Sequence, residues 1–183
     1  DHVFGTNPCS EIILRPYQFC NLTEVVVRAE DTVVTLTKKI EWATQLGTYQ
    51  SSLTDFKYLR KIWKQNTEEE RLLGVSLTGI LDNEMLSSNN CGLVDLLVGW
   101  RKVAVKTNEK LAKSMGVSPS TAITCVKPSG TVSQLVDSAS GIHPRHSEHY
   151  IRTVRGDNKD PLTQFMIQCG IPSEPAIGNE DNM

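Results

Sequence analysis

The chain has 183 residues, of which 39% are hydrophobic and 22% are charged, with a formal net charge of −2. This is the composition of a globular domain with a real core, and the near-neutral charge argues against a nucleic-acid or membrane-surface partner. The five cysteines lie far apart without a Cys-x-x-Cys pair, which argues against a disulfide framework and a structural zinc site. Apolar runs are too short to cross a bilayer and no signal peptide is visible, so we expect a cytoplasmic location.

Both ends of the sequence are unusual for a complete protein. The first residue is Asp1 rather than Met, and the last segment, residues 178–183, is polar. We therefore expect a piece of a longer chain. No repeat, low-complexity tract or linker interrupts residues 1–183, so the sequence predicts one partial domain without an internal boundary.

Short apolar runs rich in β-branched residues predict the strands. They fall at residues 12–14, 23–27, 72–80 and 121–126. The last two runs are apolar enough for buried strands, and the glycines within residues 72–80 would let other groups approach closely. Because these strands alternate with helical patterns, the sequence predicts an α/β fold with parallel strands.

Apolar periodicity and capping signals predict the helices. One helix begins after Asp31 or Thr32 and ends near Leu46, with Gly47 as its stop. A long helix spans residues 94–115, with Gly116 as its stop. A further helical stripe, formed by Phe56, Leu59, Ile62 and Trp63, is predicted to face the core. Residues 67–70 are predicted to form the acidic first turn of a helix, and residues 89–92 a loop. Short helices are predicted at residues 148–154 and 161–169.

An amide, a thiol and a carboxylate lie within five residues, at Asn7, Cys9 and Glu11. Alternate residues of an extended segment point the same way, so the three side chains are predicted to project from one side. A thiol beside a carboxylate base is a plausible reactive site. The alternative is that Cys9 is a small buried hydrophobe. A second cysteine, Cys20, follows eleven positions after Cys9.

Residues 127–133 form a second chemical feature, in which Ser129, Gly130, Thr131 and Ser133 surround a turn. Glycine permits close backbone approach, and a helix that begins here would favour a bound phosphate. The spacing is not that of a P-loop, and the alternative is a plain Ser/Thr-capped helix.

His143, His146 and His149 are spaced three apart, which makes a metal site conceivable. The arginines within residues 145–155 add positive charge that disfavours a cation, so we predict no metal. The remaining cysteines, which lack a recognisable partner and are predicted to pack, are Cys91, Cys125 and Cys169.

Residues 7–11, followed by Cys20-Asn21-Leu22-Thr23-Glu24-Val25, resemble the active-site segment of ribonucleotide reductase, and in particular of the large subunit of the adenosylcobalamin-dependent class II enzymes. Four further stretches resemble the family in the correct order. They are residues 69–80, 126–133, 140–145 and 150–155. The similarity covers essentially the whole chain.

This resemblance implies the family's ten-stranded α/β barrel of two five-stranded halves, with the finger loop and much of the second half in this chain. It implies that Cys9 becomes a thiyl radical that removes the ribose 3′ hydrogen. Glu11 would take the 3′-hydroxyl proton, and Asn7 would hydrogen-bond in the same site. Cys20 would be one of two cysteines that reduce the substrate and end as a disulfide.

The resemblance also assigns the turn and exposes one departure from the family. Ser129, Gly130, Thr131 and Ser133 match the turn that binds the substrate phosphates. Ser10 stands where the family usually has a glycine between the cysteine and the glutamate.

The implied cofactor is adenosylcobalamin, and the implied partners are a ribonucleotide, most simply a triphosphate, and a thioredoxin-like or other dithiol reductant. The redox partner of Cys20 would lie upstream of residue 1, in the remainder of the protein's own chain, so residues 1–183 alone are expected to be inactive. Two alternatives stay open: a class I or dimeric class II ribonucleoside-diphosphate reductase, and a non-catalytic nucleotide-binding remnant.

Overall fold

The computed structural model describes residues 3–88 and 92–178. Backbone contacts divide the chain into two compact units, residues 1–145 and residues 146–183. The first unit contains the strands and most of the helices, and the second contains one helix. The predicted loop at residues 89–92 lies largely outside the described residues. Across residues 3–88 and 92–178, no helix is long and apolar enough to cross a membrane.

The first unit begins with a small hairpin and continues with alternating strands and helices. Its strands are β1 (Gly5–Thr6), β2 (Ile13–Leu14), β3 (Asn21–Val26) and β4 (Leu73–Thr78). Its helices are α1 (Val33–Gln50), α2 (Lys61–Glu70), α3 (Glu84–Ser87), α4 (Leu93–Met115) and α5 (Thr131–Leu135), with a 3-10 turn at Ile80–Asp82. The helix of the second unit is α6 (Pro161–Gln168).

Two strands, β3 and β4, pair in parallel over their full length, from Asn21 opposite Leu73 to Val26 opposite Thr78. A parallel pair needs a crossover connection, and α1 and α2 provide it. Residues 122–125 extend this sheet beside β4, since the amides of Leu73 and Val75 donate to the carbonyls of Ala122 and Ile123. The predicted α/β fold with parallel strands is confirmed, and residues 121–126 contribute a parallel bridge at Thr124 rather than a regular strand.

One face of the sheet is covered by α1 and α4. The core there contains residues that share near-complete burial: Val25, Val27, Leu36, Ile40, Leu73, Val75, Trp100 and Ala104. Because strand side chains alternate between faces, the intervening residues point the other way. On that second face, a Cβ at Gly74 would lie 2.4 Å from Leu22 and 3.1 Å from both Ile12 and Cys125. The predicted close approach at a strand glycine is therefore confirmed.

One helix boundary differs from the predictions. Thr32 caps α1 with a capping box, as predicted, but the helix continues through Gly47 to Gln50. Gly47 is buried inside the helix, where a Cβ built on it would lie 3.5 Å from Leu73 and 3.6 Å from Thr23, so this position packs against the sheet instead of ending the helix. The long helix ends as predicted, with Gly116 in the left-handed conformation.

The stripe that begins at Phe56 was predicted to belong to a core-facing helix, and that prediction is wrong. The helix begins only at Lys61, and Phe56 packs instead against the ring of Phe19, which stacks on Trp63 at 4.6 Å between centroids. The acidic residues 68–70 lie in the last turn of α2 rather than the first. Arg15 explains their position, since it forms ion pairs with Glu69 and Glu70, both at 3.1 Å.

In the second unit, the predicted helix at residues 161–169 is confirmed with Asp160 as its cap. The predicted helix at residues 148–154 is wrong, because that segment has no regular structure. The aromatic and β-branched residues Tyr150, Ile151, Thr153 and Val154 lower its helix propensity.

We predict that Asn108→Ala lowers the free energy of unfolding by about 2–3 kcal/mol, because the change strands buried polar groups. Asn108 is 1% exposed and donates to the hydroxyls of Thr48 and Ser120, at 2.9 and 3.0 Å, while accepting from the Ser120 amide at 2.8 Å. Urea unfolding followed by circular dichroism measures the loss. Glu109→Ala, at the next and exposed position, is the control, and equal losses in the two variants would contradict this account.

Candidate active site

The hairpin of β1 and β2 carries the predicted reactive residues on its connecting loop. The antiparallel strands pair Gly5 with Leu14 and Thr6 with Ile13, and residues 7–12 form the loop, which we call the finger loop. The Asn7 carbonyl accepts from the Ser10 amide at 2.9 Å, and its side-chain oxygen accepts from the Ile12 amide at 3.0 Å. The prediction of an extended segment is therefore wrong, because Asn7 closes the chain into a tight turn.

Ser10 occupies the left-handed region of the backbone, with φ 62°. This conformation costs a residue with a Cβ roughly 1–2 kcal/mol, whereas glycine adopts it freely. Ser10 is thus the one residue of the finger loop with a backbone conformation that favours glycine, and it is also the residue that replaces the family's usual glycine. The turn is kept by the Asn7 hydrogen bonds.

The turn separates the environments of Cys9 and Glu11. Cys9 is exposed, so the alternative that it is a buried hydrophobe is wrong. The Glu11 side chain is 0% exposed and forms an ion pair with Lys127, with 2.8 Å between Oε1 and Nζ. Its other oxygen, Oε2, is buried and makes no hydrogen bond. Glu11 therefore offers one committed and one uncommitted carboxylate oxygen.

Burial acts to raise the pKa of Glu11, but hydrogen bonds from Lys127, its own backbone amide and Asn7 outweigh it, so the pKa is lowered. The pKa of Lys127 is raised, mainly by the hydrogen bond to Glu11, and Cys9 contributes to the rise. The Cys9 thiol thus lies near the same ammonium group. At neutral pH the site holds a charged carboxylate and a charged ammonium side by side.

Two further thiols face this pair from the sheet. Burial and the charge of Glu11 raise the pKa of Cys20, at the start of β3, and raise the pKa of Cys125 to about 11. Cys125 packs against Gly74, as its predicted packing role requires. Cys169 is exposed next to the end of α6, so its predicted packing role is wrong, and Cys91 lies outside the described residues.

The turn at residues 129–133 is ordered by its own side chains. Ser129 is 6% exposed with an Oγ that makes no hydrogen bond, whereas Gly130 and Thr131 are exposed. Ser133 is fully buried, and its hydroxyl donates to the Gly130 carbonyl at 2.7 Å. Ser133 therefore holds the turn, Gly130 and Thr131 are its accessible residues, and Ser129 contributes a buried hydroxyl without a hydrogen bond. A role in phosphate binding stays a prediction for all four residues.

The segment after this turn folds back on the end of β4. The Thr78 hydroxyl donates to the Ala139 carbonyl at 3.1 Å and accepts from the Gly141 amide at 2.8 Å. Asp82 accepts from the Ala139 amide at 2.7 Å and from the Arg145 guanidinium at 2.9 Å. The end of β4 and the 3-10 turn thereby fix the segment that backs the turn.

Sequence reasoning missed Lys127 as a member of the site. Lys127 was visible as the residue before Pro128, at the end of an apolar run, but its partner lies 116 positions earlier. In the described parts of the chain, no group of three or more His, Cys, Asp or Glu residues is arranged to hold a metal ion.

Comparisons with known proteins give consistent relatives. No family model matches the chain. The chain is 30% identical to the adenosylcobalamin-dependent ribonucleoside-triphosphate reductase of Lactobacillus acidophilus, over 97% of this chain and 27% of that protein. A probable enzyme of the same name from Dictyostelium discoideum is 29% identical over 98% of this chain and 23% of its own length.

A solved structure matches as well. A B12-dependent, class II ribonucleotide reductase superposes with a TM-score of 0.70 and 25% identity, over 97% of this chain and 28% of the other. The parallel sheet and its finger loop are thus those of a ribonucleotide reductase. More particularly, the chain is a relative of the class II, adenosylcobalamin-dependent enzymes, and it spans about a quarter of their length. The predicted resemblance and fold are confirmed.

We predict that Ser10→Gly slows amide hydrogen exchange at positions 10 and 12 about threefold, because it removes the strain of a left-handed serine. Both amides are held by Asn7, so their exchange reports opening of the finger loop. Ser10→Ala removes the hydroxyl but keeps the Cβ, and it should not slow exchange. Equal slowing in the two variants would contradict a backbone origin.

We predict that iodoacetamide at pH 8 labels Cys9 and Cys169 at least about tenfold faster than Cys20 and Cys125. The first two thiols are exposed, and the other two are partly buried with raised pKa values. Peptide mass spectrometry after timed quenching gives the rates. In urea the four rates should converge; labelling of Cys125 as fast as Cys9 in the folded protein would contradict the prediction.

Proposed function

We propose that this chain supplies the finger loop and part of the barrel of an adenosylcobalamin-dependent ribonucleotide reductase that acts on ribonucleoside triphosphates. The observation that carries the proposal is the geometry of the finger loop: an exposed thiol, Cys9, two residues from a shielded carboxylate, Glu11, whose Oε2 is uncommitted. The names of the relatives support the choice of cofactor and of triphosphates.

In this proposal the thiyl radical of Cys9 takes the hydrogen atom from C3′ of the ribose, and the S–H bond forms as the C–H bond breaks. Glu11 receives the 3′-hydroxyl proton on Oε2, because Oε1 is occupied by Lys127. A carboxylate held ionised by an ammonium group is ready to act as this base at neutral pH. Asn7, already bound to the backbone of the finger loop, keeps the two reacting groups at fixed spacing.

Reduction replaces the 2′-hydroxyl with hydrogen and releases the oxygen as water. The two electrons come from a pair of thiols that end as a disulfide. Cys20 is one of this pair in the proposal, and its raised pKa keeps the thiol protonated so that it has a hydrogen to give. The second thiol lies elsewhere in the protein, and a dithiol reductant of the thioredoxin kind restores the pair.

The residues of the finger loop fit a radical-forming cofactor at one point, the exposed thiol of Cys9. When bound, adenosylcobalamin supplies the radical chemistry, and Cys9 is the residue of this chain that receives it. The exposed Gly130 and Thr131 and the free Ser129 hydroxyl are the groups we assign to the substrate phosphates.

We predict that the full-length protein converts ribonucleoside triphosphates to deoxyribonucleotides only when adenosylcobalamin and a dithiol are present. The Cys9→Ala variant should bind the nucleotide with unchanged affinity but lose activity by at least about a thousandfold, since no other thiol replaces the radical-bearing one. Product formation by chromatography and binding by calorimetry make the two measurements.

The outcomes separate the alternatives. Activity without cobalamin but with a di-iron partner subunit would point to a class I enzyme, and a preference for diphosphates would point to the dimeric type. Nucleotide binding without any reduction in the wild-type protein would favour a non-catalytic remnant. Full activity in Cys9→Ala would remove the role given to the finger loop.

A further inference from the structure

Lys127 is the one charged side chain that joins the finger loop to the turn at residues 129–133 within the described part of the chain. Its Nζ lies 2.8 Å from Glu11 Oε1, across 116 positions of sequence. Its backbone leads directly into Pro128 and Ser129, at the start of the turn. One residue thus contacts the proposed base through its side chain and the proposed phosphate turn through its backbone.

We propose that Lys127 is a positioning residue of the proposed reaction: its ammonium group holds Glu11 ionised and leaves Oε2 as the oxygen that accepts the substrate proton. This inference rests on the proposed function. Lys127 touches Glu11 rather than the substrate, so it acts through the carboxylate.

The burial of Glu11 makes such a partner necessary. A carboxylate with 0% exposure favours its neutral form unless a positive charge or hydrogen-bond donors compensate. The other groups that face Glu11 do not carry positive charge: they are the amide of Asn7 and the thiols of Cys9, Cys20 and Cys125. Among the described residues, Lys127 alone supplies a cation to this carboxylate.

The geometry also decides which oxygen reacts. Lys127 occupies Oε1 and holds the carboxylate plane, so Oε2 is left buried and without a hydrogen bond. A substrate hydroxyl that replaces this missing contact would satisfy a buried polar atom at the same time as it presents its proton. The O–H bond of the substrate then breaks as the O–H bond on Oε2 forms.

The pH dependence follows from the sign of the Lys127 effect. Lys127 lowers the pKa of Glu11, so the ionised base is present above that pKa and is lost as pH falls through it. Without Lys127, burial dominates and the pKa rises. The acidic limb of the kcat profile of Lys127→Met should therefore move to higher pH by at least about one unit.

The test measures kcat and KM against pH in the full-length protein for wild type, Lys127→Met and Lys127→Arg. Lys127→Arg keeps the charge and should retain the wild-type acidic limb, and KM should change less than about threefold in both variants. Lys39→Met is the matched control, because Lys39 pairs with the shielded Asp31 at 2.5 Å, away from the site. It should keep the wild-type profile.

A second measurement needs neither substrate nor cofactor. The charge of Lys127 lowers the pKa of Cys20 and Cys125, so its removal should slow iodoacetamide labelling of Cys20 at pH 9 about threefold or more. Lys39→Met should not slow it. This readout reports the electrostatics of the site, because a Lys127 that only supported the fold would, when removed, expose Cys20 and speed its labelling rather than slow it.

The outcomes distinguish this inference from the proposed function. An active wild type with an unshifted acidic limb in Lys127→Met would overturn the role of Lys127 and leave the reductase assignment intact. A wild type that binds nucleotide but does not reduce it would overturn the reductase assignment, and with it the positioning role. If Lys127→Met does not fold, Lys127→Gln, which also removes the charge, carries the same expectations.

Discussion

The absence of a side chain at Gly74 is the constraint on which the site depends. Leu22, Ile12 and Cys125 converge on this glycine, and a Cβ there would lie within 2.4 to 3.1 Å of all three. Strand β3, the finger loop and the segment after residue 121 can therefore approach one another over the middle of β4. A larger residue would force these three side chains to shift, and Ile12 is the finger-loop residue directly after Glu11.

The shielded ion pair is the second consequence of this close packing. Removing one partner of a buried pair costs about 3–5 kcal/mol, because the other charge is left without compensation. The Glu11 side chain has 0% exposure and that of Lys127 only 22%. Their ion pair therefore links the finger loop to the residue that begins the turn. Burial, and after it the same negative charge, raises the pKa of Cys20 and of Cys125, so the carboxylate helps to keep both thiols protonated.

Capping and periodicity signals in the sequence predicted most helices and strands. They failed where residues far apart in sequence determine the structure. The cap at Thr32 and the stop at Gly116 could be predicted, since each depends on residues within one helical turn. The continuation of α1 through Gly47 could not, because the burial of Gly47 against Leu73 of β4 is not visible in the local sequence. The candidate residues of the finger loop were found from their types and spacing and given roles by resemblance. Their partner Lys127 was not found, because a pairing across 116 positions leaves no periodic or spacing signal in a single sequence.

The turn in the finger loop gives two cysteines, eleven positions apart, opposite properties. Ser10 in the left-handed conformation reverses the chain immediately after Cys9, so Cys9 stays exposed while Glu11 turns inward. Cys20, at the start of β3, faces the inward carboxylate and keeps its proton. In the proposed reaction, the thiol that exchanges a hydrogen atom with an incoming group needs access, whereas the thiol that donates hydrogen later needs to stay neutral and shielded. The left-handed turn at Ser10, held by Asn7, leaves Cys9 exposed and turns inward the carboxylate that adds to the effect of burial on Cys20.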